Sequence, residues 1–124
     1  MTDTRTTVPA PGHLVALWAG VLLAPTAFLL NLELGYLAVP ASCTAGGTTQ
    51  LLHLIHGGCL LVAIAGAGIA WLSWSRTGTG WPGETGGPTA RNRFMAGLGV
   101  AGSALFALTI VAQWIPTLTL HPCQ

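Results

Sequence analysis

Lysine is absent from this chain, and only 6% of its 124 residues are charged. A soluble domain has roughly a quarter of its residues charged, so this chain cannot clothe a water-facing surface and lipid is its natural solvent. Basic clusters are missing as well. Four scattered arginines and a net charge of +1 exclude a nucleic-acid binder, because phosphate recognition needs a concentrated cationic face. No internal repeat is visible, which removes repeat arrays. The glycines lack P-loop spacing and the lysine that goes with it, so nothing cradles a nucleotide phosphate. No activated nucleophile adjoins a base and a carboxylate, and the chain is not expected to be an enzyme in its own right.

What remains is apolar. Hydrophobic residues make up 52% of the chain and concentrate in three blocks, 14–39, 50–74 and 94–115. Each is about 22–26 residues long, where a bilayer core of roughly 30 Å needs about 20 helical residues. Backbone in lipid must satisfy its own hydrogen bonds, and the short alternating segments of a barrel are missing, so the blocks are helices. The expectation is an all-α membrane protein with three transmembrane helices. Its parts are a polar tail 1–12, a span 13–39, an outer loop 40–49, a span 50–75, a cytoplasmic loop 76–92, a span 93–116 and an outer tail 117–124. The first block reads as a retained helix, since it is long for a signal peptide and Arg5 alone makes a weak basic flank.

In this arrangement Arg5, Arg76, Arg91 and Arg93 share one side and the opposite connections carry no charge. The positive-inside rule then puts the N-terminus in the cytoplasm and the C-terminus outside, in a bacterial inner membrane. Trp18, Trp71 and Trp74 fall near the inner interface, and Tyr36 and Trp114 near the outer one, as an aromatic belt would. Trp81 belongs to the cytoplasmic loop, and His13 and His121 to the two interfaces.

Cys43 and Cys123 both face outward, and an oxidising compartment invites a disulfide between them; free thiols or shared metal ligation are the alternatives. Cys59 reads as a small buried hydrophobe. Small residues recur every fourth position or so: Ala16, Gly20 and Ala24; Gly58, Gly66 and Ala70 with Ala63 and Ala67 beside them; Gly99, Ser103 and Ala107. Such stripes let membrane helices approach closely. Pro25 should kink the first span.

The stretch LLHLIHGGCLL places His53 and His56 inside an apolar run. Glu33 is the only carboxylate within a span, and a charge there is expensive enough to expect it inside with a partner. At 1.5 Å per residue, Glu33 and His56 both lie roughly 9 Å from the ends of their apolar blocks, and Tyr36 and His53 roughly 4–5 Å. The two i,i+3 pairs can therefore face each other at matched depth, with Gln113 nearby and Asn31, about 200° round the helix from Glu33, on another face. The first reading is a clasp of Glu33 with His56 and Tyr36 with His53. Further readings are a metal held by His53, His56 and Glu33, a single axial haem ligand, a quinone headgroup site, or a proton relay.

The pattern NLELGYLAVPASC, HLIHGG, RFMAGLGVAGSALFALTIVAQWIP and a final PC resembles a group of small polytopic bacterial membrane proteins that accompany haem-copper (cytochrome c) oxidase genes. Glu33, Tyr36, Val39, Pro40, Cys43, His53, Arg93, Phe94 and Cys123 carry the resemblance. It implies service to a respiratory electron-transfer complex, and no activity comes with it. The expected function is a non-catalytic accessory subunit of such a complex, with no cofactor of its own. The alternative is a membrane redox protein binding metal, haem or quinone through the Glu/His cluster.

Overall fold

In the computed structural model, residues 10–44, 49–77, 86–120 and 123 are described. They form three helices, α1 (Pro11–Thr44), α2 (Gln50–Thr77) and α3 (Pro88–Thr119), and no strand occurs among them. All three are long and apolar enough to cross a membrane. This is a multi-pass, all-helical membrane protein, and each helix packs against both others. Trp81 and His121 lie outside the described residues.

The helices outrun the apolar blocks at several ends, and local chemistry explains why. Helix α1 continues through Pro25 and past Val39 and Pro40 to Thr44. There the Thr44 hydroxyl donates to the Ala41 carbonyl at 3.1 Å, one of the acceptors that a helix end leaves open, and the Ser42 hydroxyl adds a second donor to the Ala38 carbonyl at 2.9 Å. The expected outer loop thus loses residues 40–44 to the helix. Helix α3 starts at Pro88, five residues before the expected span, with extended Gly87 as its N-cap. Proline suits the first helical turn because its missing N–H has no intrahelical partner there. Arg93 then reaches across to donate to the Thr77 carbonyl at 2.9 Å, closing the last turn of α2.

The core is built from small residues. Gly20, Ala70 and Gly99 meet where the three helices cross. A Cβ on Gly99 would lie 3.0 Å from the Ala70 Cβ and 3.1 Å from the Gly20 carbonyl oxygen, and one on Gly20 would lie 3.0 Å from the Ala70 Cβ. One turn on, a Cβ on Gly66 would lie 3.0 Å from the Leu23 Cβ. Close backbone approach gives these helices the van der Waals contact that lipid cannot supply between them. On α2 the buried stripe runs Cys59, Ala63, Gly66, Ala70 and Ser73, whereas Gly58 is exposed with open space around it. Cys59 is a buried free thiol. Farther along, Phe28 and Phe106 pack with ring centroids 5.4 Å apart over Ala24, Ala27, Ala63 and Ile110. The bundle thus widens from a glycine crossing to an aromatic layer.

Beyond that layer, Cys43 and Cys123 are bonded, with Cα atoms 5.6 Å apart across 80 residues of sequence. Closing a loop of that length typically stabilises by about 2–4 kcal/mol, through restriction of the unfolded chain. Reduction in detergent, or Cys43→Ser, should therefore lower the thermal unfolding midpoint; an unchanged midpoint would show that the bond contributes nothing.

Candidate functional site

The histidines of α2 are both engaged, and not by the groups that the helical spacing suggested. Asn31 of α1 is 1% exposed and His56 6%. The Asn31 amide donates from Nδ2 to Gln113 Oε1 of α3 at 2.6 Å, and its Oδ1 stands 2.6 Å from His56 Nδ1. A carbonyl oxygen can only accept, so with the amide in this orientation His56 donates from Nδ1. One side chain from each helix thus forms a continuous polar layer, Gln113–Asn31–His56. In a region without water each group supplies its neighbour's partner.

His53 lies one turn nearer the disulfide. Trp114 donates from Nε1 to His53 Nδ1 at 2.8 Å, and Thr49 Oγ1 lies 3.3 Å from His53 Nε2. The neutral ring therefore carries its proton on Nε2, the tautomer opposite to that of His56. The Trp114 ring also lies 6.1 Å from that of His53 and 6.3 Å from that of His56 between centroids. Trp114, expected in an interfacial belt, is turned inward as a hydrogen-bond donor.

Two members of the expected cluster are elsewhere. Glu33 is exposed, and it makes no hydrogen bond or ion pair with any described residue. Tyr36 is 79% exposed. The Glu33–His56 and Tyr36–His53 clasps do not form. The reason is rotation: Asn31 and Glu33 are separated by about 200° of helical turn, so burying one turns the other out. With Glu33 directed away, the expected metal site of His53, His56 and Glu33 has no third ligand, and no other group of three His, Cys, Asp or Glu residues among the described residues could hold a metal. Of the expected cluster, the bundle interior brings together His53, His56 and Gln113, and adds Asn31 and Trp114.

Between the polar layer and the disulfide the helices leave a cleft of about 700 Å³. Asn31, His56, Gln113 and Thr117 supply its polar lining, and Leu32, Val39 and the amphipathic Tyr36 of α1 are among its other walls. Gly35 lies over the imidazole, where an added Cβ would stand 3.9 Å from His56 Cε1. Among the described residues, no arginine lines the cleft.

Asn31→Leu should destabilise the bundle by about 1–3 kcal/mol, because it leaves the His56 N–H and the Gln113 carbonyl without their partner. Thermal unfolding in detergent measures this. An unchanged midpoint would mean that the polar layer does not hold the helices.

No protein-family model matches the chain, and no curated protein or solved structure shows significant similarity to it.

Proposed function

We propose that this chain is a non-catalytic accessory subunit of a larger membrane electron-transfer complex. One observation carries the subunit reading: Glu33, a carboxylate well inside a membrane-spanning helix, faces outward with no partner among the described residues. An ionised carboxylate left against hydrocarbon costs several kcal/mol, and such groups pair with other groups or line an interior. Glu33 is therefore paired across an interface, with a basic or strongly donating side chain on a transmembrane helix of another subunit. Leu29, Leu30 and Leu37, exposed on the same face as Glu33, suit a helix partner as well as they suit lipid.

The choice of an electron-transfer complex, with a haem-copper oxidase as the foremost candidate, rests on the resemblance carried by Glu33, Tyr36, Cys43, His53 and Cys123. Orientation in a bacterial cytoplasmic membrane rests on charge and redox chemistry. Arg76, Arg91 and Arg93 gather at one end of the bundle and the cystine is at the other, as expected for cytoplasmic and oxidising faces.

Purification of a tagged copy in mild detergent, followed by native electrophoresis, mass spectrometry, optical spectroscopy and metal analysis, tests the reading. The expected eluate contains larger membrane polypeptides that carry the haem absorbance on their own subunits. A lone small protein with stoichiometric metal or haem would overturn it.

A further inference from the structure

The cleft beside the polar layer has the features of a ligand site. Its volume of about 700 Å³ lies within the usual roughly 300–1,000 Å³ of small-molecule pockets, which are mostly apolar with a few convergent polar groups. Its walls include Leu32, Tyr36 and Val39, which are also exposed on the bundle surface, so the mouth opens sideways toward lipid. Besides the hydroxyl of the exposed Tyr36 at the mouth, two polar functions of the polar layer remain unused. His56 donates from Nδ1 to Asn31, which leaves Nε2 of the neutral ring as an acceptor with no partner among the described residues. Gln113 accepts from Asn31 through Oε1, and its own amide N–H groups bond nothing among those residues. The cleft thus offers one acceptor and one donor, each held in place by Asn31.

We infer that this cleft binds the headgroup of a lipid-dissolved isoprenoid quinone or its quinol. A quinone carbonyl accepts from the Gln113 amide, a quinol hydroxyl donates to His56 Nε2, and the apolar tail leaves between Leu32 and Tyr36. A phospholipid headgroup is a poor match, because no arginine among the described residues lines the cleft to meet its phosphate. The polar groups also lie roughly 9 Å along α2 from its start, deeper than a phosphate sits. An acyl chain alone would leave both functions unpaired. Gly35 keeps the space over the imidazole open. The inference concerns binding only, and it stands whether or not the chain belongs to a larger complex.

The test is photolabelling of the full chain in phosphatidylcholine nanodiscs by a decyl-tailed azidoquinone, with labelled peptides read by mass spectrometry. Label is expected on the segments 32–40 and 113–117, competed by decylubiquinone and not by decylbenzene. Gly35→Leu, which fills the cleft, should cut labelling at least tenfold. Gln113→Leu, which removes the donor and leaves the cleft open, should weaken competition by decylubiquinone about fivefold. Label spread over all lipid-facing positions would overturn the inference. So would equal competition by decylbenzene, or labelling and competition unchanged in both variants.

Discussion

Gly99→Leu is expected to prevent the three helices from assembling. The residue sits where α1, α2 and α3 cross, and even a methyl group there would press to 3.0 Å on the Ala70 side chain and 3.1 Å on the Gly20 carbonyl. All three nearest atoms are therefore other helices' backbone or a Cβ fixed to it, which cannot rotate away as a long side chain would. Overpacking of an ordinary core costs about 1–3 kcal/mol and sometimes more; a crossing this close should reach or exceed the upper figure. Membrane helices have no hydrophobic drive toward each other to offset it. The readout is formation of the Cys43–Cys123 bond, which needs α1 and α3 brought together at the far end. Gly102→Leu on the same helix, where an added Cβ meets nothing within 4 Å, should leave the bond intact. Equal disulfide yield in both variants would show that the glycine crossing does not organise the bundle.

If Glu33 is paired across a subunit interface as proposed, Glu33→Leu is expected to release the chain from that partner without harming the chain. Glu33 bonds no described residue of its own, so the isolated protein should unfold at the same temperature or slightly higher. In the proposed assembly the change would leave the facing cation or donor buried and unpaired, a loss of about 3–5 kcal/mol for a desolvated pair. That corresponds to an affinity lower by roughly a hundredfold or more. Glu33→Gln, which keeps hydrogen bonding and removes the charge, should fall between. Co-purification yield against the unfolding midpoint separates the two roles. A variant that unfolds early in isolation would make Glu33 a structural residue of this bundle.

Glu33 also marks where sequence reading ends. The three spans are legible because lipid demands long apolar helices, and the pairing of Cys43 with Cys123 follows from their shared end of the bundle. The inward side of α1 was open to reading as well. Asn31 continues the spacing of Gly20, Ala24 and Ala27, all buried, and the angle between Asn31 and Glu33 is fixed by helix geometry. The rule that charges face inward pointed the other way. That rule weighs a carboxylate against lipid and takes no account of a second protein. The inward turn of Trp114 was masked by the habit of tryptophan at interfaces. The early start of α3 is signalled by Gly87–Pro88, which lie inside the expected loop 76–92. The cleft had no linear signal, since it arises from Gly35 on one helix standing opposite His56 on another.

The central claim is that the Glu33 face of α1 is covered by another subunit. Leu37, one turn from Glu33 and 72% exposed, can carry a photoreactive benzoylphenylalanine in intact membranes, with Leu61 of α2, 68% exposed, as the comparison site. Irradiation is expected to yield one discrete adduct with a larger membrane polypeptide from position 37, lost when Glu33→Leu is added. Lipid adducts alone from position 37, or an adduct of twice the chain's own mass, would contradict it.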